Sequence, residues 1–203
     1  MTPRDHLTLR DSHTAQTRDR ILEVAMEMLS NSPDGAFSHE SIAKIAGMGA
    51  RTVYRHFPDR ARLLQALWIR LRDVTNTKFP AREEDISPFI ATAFREFDEH
   101  QSLVRAVLTS SAGTEVRERG GGEGRAAFAR SLTGALSEST PLERARVTAV
   151  FVAVYSAPFW QLLRDRGGLS GPQAQEAGAW VVRVLLEALH APKSPKSKRS
   201  KKK

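Results

Sequence analysis

The sequence has 203 residues and no cysteine. This absence excludes disulfide bonds, thiolate zinc sites, iron–sulfur clusters and cysteine nucleophiles, and it is typical of a protein from a reducing compartment. Aromatic residues make up only 7% of the chain, whereas all hydrophobic residues make up 40% and charged residues 27%. These fractions are those of an ordinary globular protein that folds in water around a hydrophobic core.

Long hydrophobic runs are also missing. The first 13 residues contain no apolar run of the length that a signal peptide requires. The longest uncharged stretch, residues 147–163, has 17 residues and includes polar ones, and a membrane-spanning helix needs about 20 apolar residues. We therefore expect a cytoplasmic protein that does not span a membrane.

Patterns that would indicate a metal site or an enzyme are not found. The six histidines lack the i, i+4 pairs and His–Glu clusters of metal sites, and no serine lies in a nucleophile elbow. The glycine-rich residues 120–125 have no preceding strand and no following Lys-Ser or Lys-Thr, so they favour a flexible surface loop over a phosphate-binding loop. We expect no metal, no cofactor and no enzymatic activity.

The net charge of +8 is distributed unevenly. Residues 191–203 carry +7 and consist almost entirely of lysine, serine and proline, so we expect them to be disordered. A second concentration of positive charge lies between residues 44 and 72, which include seven lysine or arginine residues and only one acidic residue, Asp59. This basic stripe indicates a nucleic-acid partner more specifically than the overall charge does.

The apolar residues recur at a helical period almost everywhere, which predicts an all-α fold of about nine helices. The predicted helices lie near residues 14–30, 39–46, 50–57, 59–74, 86–99, 101–112, 124–138, 141–165 and 172–190, with a loop at 113–123. Ser38 is the expected N-cap of the second helix, in which Ile42, Ile45 and Ala46 face inward. Pro158 is expected to kink the helix over residues 141–165.

Residues 38–57 have the pattern of a helix-turn-helix. Two short amphipathic helices are joined by Gly47-Met48-Gly49, and a small turn allows the close crossing that lets the second helix enter the DNA major groove. The polar side of that helix carries donors suited to phosphates and base edges. From these residues alone, an ordinary pair of packed helices with solvated arginines remains an alternative.

The stretch from Thr17 to Leu64 resembles the DNA-binding region of the TetR family of bacterial transcriptional regulators. The matching residues are Thr17-Arg18, Ile21-Leu22, Ala25, Ser38, Ile42-Ala43, Ala46-Gly47, Thr52-Val53-Tyr54, His56-Phe57-Pro58, Arg60 and Leu63-Leu64. The turn departs from the family pattern, because Met48-Gly49 replaces the usual Val-Ser and removes the hydroxyl that would cap the recognition helix.

The resemblance implies a set of DNA contacts. Tyr54 and His56 would touch the DNA backbone or a base edge, Thr52 a phosphate, and Arg60 a phosphate at the start of the fourth helix. The full set of DNA-binding residues implied is His39, Glu40, Ala50, Arg51, Thr52, Tyr54, Arg55, His56 and Arg60.

The resemblance also implies the organisation of the chain. We expect a flexible N-terminal arm (1–13), a DNA-binding domain (14–74), a ligand-binding and dimerisation domain (75–190) and the disordered tail (191–203). A homodimer would form through residues 141–165 and 172–190, whose apolar stripes carry Val147, Val150, Phe151, Val154, Val181, Val184, Leu185 and Leu189. The alternative for these positions is an ordinary core.

The function expected from the resemblance is transcriptional repression. A dimer would bind a palindromic DNA operator and leave it when a small, apolar or aromatic effector enters the C-terminal domain. Candidate pocket residues are Phe89, Phe94, Phe97, Phe128, Phe151, Tyr155, Phe159 and Trp160, although for each of them a core position is the plainer interpretation. A different possibility is a sequence-indifferent DNA-coating protein that binds through its lysine-rich tail.

Overall fold

The computed structural model describes residues 9–31 and 37–191. These residues form ten α-helices and one 3₁₀ turn at Glu83–Asp85, with no strand among them. The helices are α1 Leu9–Asn31, α2 His39–Ala46, α3 Ala50–His56, α4 Arg60–Val74, α5 Ile86–Glu99, α6 Gln101–Thr109, α7 Ser111–Ser131, α8 Pro141–Val154, α9 Ala157–Asp165 and α10 Gly171–His190. The predicted all-α fold is confirmed, with one helix more than expected.

Both ends of the chain lie largely outside the described residues. Of the predicted disordered tail, only Ala191 is described, and residues 1–8 of the predicted arm are not. Residues 9–13 of that arm belong to helix α1, so the prediction of a flexible arm is wrong for them.

The N-terminal core is built by α1 to α4, together with residues from α6 and α7. Its fully buried side chains include Ile21, Ile42, Val53, Phe57, Leu63, Leu64 and Leu67. Val107 of α6 and Val116 of α7 are buried in the same cluster. The expected domain boundary at residue 74 therefore stays a prediction, and this hydrophobic core extends across it.

The C-terminal core is formed by α5 and α7 to α10, with a contribution from α6. Phe94, Phe128, Phe151 and Trp160 are almost completely buried in it. Helices α5 and α10 pack along each other, and Gly178 allows their close approach, because a Cβ atom there would come within 2.7 Å of the Phe94 ring. Six of the fifteen buried residues of this core are aromatic.

Helix α7 occupies the segment predicted as a loop. It begins after Ser110, whose hydroxyl accepts the Gly113 amide at 3.1 Å, and it continues through all the glycines to Ser131. Each glycine costs about 1 kcal/mol of helix stability relative to alanine, but α7 packs against α4, α6 and α8. Tertiary packing outweighs propensity here, so the predicted loop at 113–123 is wrong. Helix α6 ends at residue 109 and α7 ends at residue 131, whereas the predicted helices end at residues 112 and 138.

The predicted helix over residues 141–165 is two helices. Helices α8 and α9 meet at an angle of 55°, and Ser156 caps α9 by accepting the Phe159 amide at 3.3 Å. Pro158 lies in the first turn of α9, where a missing N–H costs no hydrogen bond. The prediction of a proline kink inside one helix is therefore corrected to a break just before Pro158.

No single helix in the described ranges is both long enough and apolar enough to cross a membrane. The α8–α9 pair meets the length and composition of a span only when its two bent halves are taken together.

Candidate nucleic-acid interface and ligand cavity

The crossing of α2 and α3 is defined by caps and glycines. Ser38 caps α2 by accepting the Ser41 amide at 3.1 Å, as predicted. Gly47 ends α2 in the left-handed conformation with φ of +69°, which glycine adopts without a steric penalty. Gly49 is the N-cap of α3 and provides no side-chain hydrogen bond, which agrees with the expected loss of the capping hydroxyl.

The outer surface of α3 presents three exposed side chains, Arg51, Tyr54 and Arg55, while Val53 is buried beneath them. Arg51 and Arg55 are one helical turn apart. Neither forms an ion pair with any residue in the described part of the chain. Their guanidinium groups are therefore free to donate to phosphates or to guanine edges.

Tyr54 is held in one orientation by two contacts with α2. Its ring stacks on that of His39, with centroids 4.4 Å apart and planes 3° from parallel. Its hydroxyl donates to Glu40 Oε1 at 2.8 Å. This hydrogen bond lowers the pKa of Glu40 and raises the pKa of Tyr54. The three side chains form one platform beside the exposed arginines.

The structure corrects the prediction for His39. Its side chain is only 6% exposed, and its Nε2 atom lies 2.9 Å from the carbonyl oxygen of Phe57. The ring is thus enclosed between Tyr54 and the end of α3 and cannot reach a base edge. His39 ties α2 to α3 and supports Tyr54.

The donors of Arg60 are used inside the protein. Its Nε and Nη2 atoms donate to the two carboxylate oxygens of Glu115, each at 2.8 Å, and Nη1 donates to the Phe37 carbonyl at 2.7 Å. Arg60 thus links α4 to α7, and its contact with a phosphate stays a prediction.

The Arg60 hydrogen bonds lower the pKa of Glu115. The ion pair therefore contributes stability above the ordinary glutamate pKa and loses it as the pH falls through the lowered value. Because about 40% of both side chains is exposed, the contribution is about 0–1 kcal/mol.

Three predicted DNA-binding residues are half-buried and stay predictions. Ala50 packs against the N-terminal core, and the Thr52 amide donates to the Gly49 carbonyl at 2.8 Å. His56 has a buried Nε2 atom without a hydrogen-bond partner among the described residues. Burial, and then the charges of Arg55 and Arg18, lower the pKa of His56, so its imidazole is neutral at neutral pH.

A cavity of about 240 Å³ lies between α4, α6, α7 and the α8–α9 junction. Trp68, Leu71, Arg72 and Thr75 of α4 line it, so a helix of the N-terminal core forms one of its walls. Its other walls are mostly apolar. The Tyr155 hydroxyl at its edge donates to the Lys78 carbonyl at 2.6 Å, and burial raises the pKa of Tyr155.

The aromatic residues predicted for a pocket divide into two groups. Phe97, Phe128 and Tyr155 line the cavity. Phe94, Phe151 and Trp160 are buried in the C-terminal core, and Phe89 and Phe159 pack against it. For these five the pocket prediction is corrected to a core position, which is the alternative that the sequence left open.

An apolar patch on α8 and α10 remains uncovered in the single chain. Trp180 is 57% exposed, and Val150 and Val184 are exposed with it. Phe151 and Val154, which were predicted on the same stripe, face the protein's own core. The patch is therefore narrower than the sequence indicated, and its largest side chain is Trp180.

Comparison with known proteins agrees with this geometry. The family model described as bacterial regulatory proteins, tetR family, matches residues 21–67, which include the helix-turn-helix. The HTH-type transcriptional repressor LfrR of Mycolicibacterium smegmatis is 33% identical over 93 residues, which are 46% of this chain. Residues 21–67 therefore resemble the DNA-binding region of tetR-family regulators.

The matches differ in how much of each protein they cover. The similarity spans about half the length of LfrR, 48%. Two crystal structures of NalD, a secondary repressor of the MexAB-OprM multidrug efflux pump in Pseudomonas aeruginosa, give TM-scores of 0.56 and 0.59. They cover 87% of this chain and 95% of NalD at 18% identity. At this identity the likeness shows that this chain and NalD share a fold over most of their lengths.

Several residues at these sites were missed by sequence reasoning. Ile45 was expected to face inward, but it is 54% exposed at the end of α2, beside the exposed Lys44. The four-residue spacing of Trp180 and Val184 could have indicated an exposed stripe. Trp68 and Arg117 gave no signal as cavity residues, because their proximity depends on the packing of α4 against α7.

Proposed function

We propose that this protein is a transcriptional repressor that reads operator DNA with helix α3. The observation that carries the proposal is that Arg51 and Arg55 on α3 are exposed and form no ion pair with the described residues. They lie next to Tyr54, which His39 and Glu40 hold in place. A helix with such donors can enter the major groove and contact base edges and phosphates. Repression is the direction we propose because LfrR and NalD are both described as repressors.

The protein would act as a homodimer. One helix-turn-helix contacts only a few base pairs, and two of them related by a twofold axis read a palindrome with half-sites about one DNA turn apart. The exposed apolar patch on α8 and α10, centred on Trp180, supports dimerisation, because a large exposed apolar side chain is a common anchor of protein interfaces. Since its target is chromosomal DNA, we propose that it works in the cytoplasm.

A small effector that binds in the cavity would cause the protein to release the DNA. Helix α4 follows α3 directly and lines the cavity with Trp68 and Leu71. An effector that binds better when α4 is displaced would favour a state in which the two recognition helices no longer match the operator. The mostly apolar walls favour a ligand with an apolar or aromatic body.

The first experiment identifies the operator. Genomic fragments from the source organism that bind the purified protein would be selected and tested by electrophoretic mobility shift. We expect a palindromic site. In the variant with Arg51→Ala and Arg55→Ala we expect specific binding to fall by at least tenfold, since each good contact to a base is worth about 1–3 kcal/mol.

A matched control separates specific from general electrostatic effects. Arg125 and Arg130 are exposed arginines on α7, outside the helix-turn-helix, and the variant with Arg125→Ala and Arg130→Ala removes two cations, as the α3 variant does. We expect it to bind the operator as the parent protein does. Unchanged operator binding in the α3 variant would refute the assignment of α3.

The salt dependence and the tail test the DNA-coating alternative. If Lys44, Arg51 and Arg55 of two protomers each neutralise one phosphate, log K should fall with log salt at a slope of about −5. Deletion of residues 192–203, which lie outside the described ranges, should weaken binding to random DNA but preserve operator preference. Loss of all DNA binding on this deletion would instead favour the coating protein.

A further inference from the structure

The charged residues that line the cavity are of one sign. Two arginines, Arg72 and Arg117, are among its lining residues, and no aspartate or glutamate of the described chain lines it. A cation entering this space would meet positive charge without a carboxylate to balance it. The lining therefore disfavours cationic ligands and leaves neutral and anionic ones to be distinguished.

The charge of Arg72 is already balanced within the protein. Its Nη1 atom lies 2.6 Å from Glu123 Oε1, its Nε atom donates to the Thr77 carbonyl at 3.3 Å, and its guanidinium lies 4.7 Å from the centre of the Phe79 ring. A ligand would gain little from this side chain, because all of these contacts would compete with it. Arg72 is part of the cavity wall.

The charge of Arg117 is less well balanced, because the neighbouring Glu118 raises its pKa by less than burial lowers it. No carboxylate of the described chain lies within ion-pair distance of it, and its buried Nε atom has no hydrogen-bond partner there. Its one hydrogen bond runs from Nη2 to the Thr114 hydroxyl at 3.2 Å. Burial lowers the pKa of this guanidinium. A buried donor without a partner is costly, so an acceptor at this position would be strongly favoured.

The sequence of α7 makes room for an acceptor beside Arg117. Arg117, Gly120, Gly121 and Gly124 follow one another at helical spacing and all line the cavity. A Cβ atom on Gly121 would meet no atom within 4 Å, so α7 leaves open space at this position, whereas Trp68 and Phe79 occupy the space at Gly120 and Gly124. Among the α7 residues that line this mostly apolar cavity, Arg117 is the one with a charged side chain.

We propose that the effector is an organic anion, with an apolar or aromatic body in the cavity and a carboxylate, sulfonate or phosphate group bound by Arg117. The planar guanidinium matches these anions and forms charge-assisted hydrogen bonds with them. This inference rests on the proposed function, because it names the chemical class of the ligand for the same cavity.

The test uses two fluorescent dyes that share an aromatic skeleton. Anilinonaphthalene sulfonate carries an anionic group, and N-phenylnaphthylamine is its neutral counterpart. Dye emission would be titrated with the full-length protein and its Arg117→Met and Arg119→Met variants. Arg119 is exposed, lies on the same helix and does not line the cavity, so its variant matches the loss of charge without touching the site.

We expect the anionic dye to bind the parent protein at least tenfold more tightly than the Arg117→Met variant, since hydrogen bonds to charged groups are the stronger ones. The Arg119→Met variant should bind it like the parent. The neutral dye should bind the parent and Arg117→Met proteins equally. Thermal melting followed by circular dichroism checks the fold, and Arg117→Lys, which retains the charge without the planar fork, should show an intermediate loss.

Equal binding of the anionic dye to the parent and Arg117→Met proteins would overturn the inference, as would failure of the anionic dye to bind the parent protein. The proposed release of DNA is tested separately by adding the anionic dye to the protein–operator complex. If the dye binds through Arg117 but leaves the complex intact, the anion site stands and the release mechanism fails.

Discussion

Glycine has opposite structural effects in two regions of this molecule. Between α2 and α3, Gly47 adopts a positive φ and ends a helix. In α7, five glycines, including three in succession at residues 120–122, lie inside one continuous helix. The same residue type marks a turn in the first region and permits helix packing in the second.

The difference lies in what surrounds each glycine. A Cβ atom on Gly47 would meet no atom within 4 Å, so only the backbone conformation requires glycine there. A Cβ atom on Gly120 would overlap the indole ring of Trp68, and one on Gly124 would come within 3.0 Å of the Phe79 ring. At these two positions of α7, glycine is required by tertiary contacts, which a local sequence pattern does not contain.

The largest effect is expected for Gly120→Ala. The added methyl group would push Trp68 away from α7 and disturb the joint between α4 and α7, at a cost of about 1–3 kcal/mol in the free energy of unfolding. Urea denaturation followed by circular dichroism would measure it. A stability equal to that of the parent protein would show that Trp68 moves aside freely.

Gly47→Ala should be the next most disruptive change. Its methyl group meets no neighbour, but the left-handed conformation costs a non-glycine residue about 1 kcal/mol. We expect a loss of about this size in unfolding free energy, together with weaker operator binding as the orientation of α3 is perturbed. An unchanged stability would contradict the role of Gly47 as a required helix end.

Gly122→Ala should have the opposite sign. Gly122 lies in the middle of α7, is exposed, and has open space where the methyl group would be. The substitution should raise the free energy of unfolding by up to about 1 kcal/mol, because alanine favours the helix. Thermal melting of Gly122→Ala beside Gly120→Ala makes a matched pair on one helix, and destabilisation by both would show that α7 tolerates no side chain.

The smallest effect is expected for Gly49→Ser. Serine would supply the missing cap of α3, and glycine at an N-cap is only a few tenths of a kcal/mol worse than serine. The gain in stability should be of that size. Hydrogen exchange of the first α3 amides is a more sensitive measurement, and exchange that does not slow would argue against cap formation.

The parts of the fold that the sequence predicted are those with local causes. The cap at Ser38, the end of α2 at Gly47 and the outward direction of Arg51 and Arg55 follow from residues within a few positions of one another. The features that the sequence did not predict have distant causes. Arg60 is held by Glu115, 55 positions away, and a sequence pattern could not show that the guanidinium is already occupied.

The same explanation applies to the cavity. Trp68 and Arg117 come together only because α4 packs against α7, and the assignment of residues 113–123 to a loop removed Arg117 from consideration. Three of the eight predicted aromatic residues line the cavity. Aromatic content alone does not distinguish a wall from a core, because both require apolar side chains.

Trp68 gives the protein an internal optical reporter. Its indole packs against Gly120, lies 3.4 Å from a carboxylate oxygen of Glu123 and lines the cavity. The other two tryptophans occupy different surroundings, since Trp160 is fully buried and Trp180 is exposed. With Trp160→Phe and Trp180→Phe, the emission wavelength of the remaining indole would follow the contact between α4 and α7 directly, without an added label.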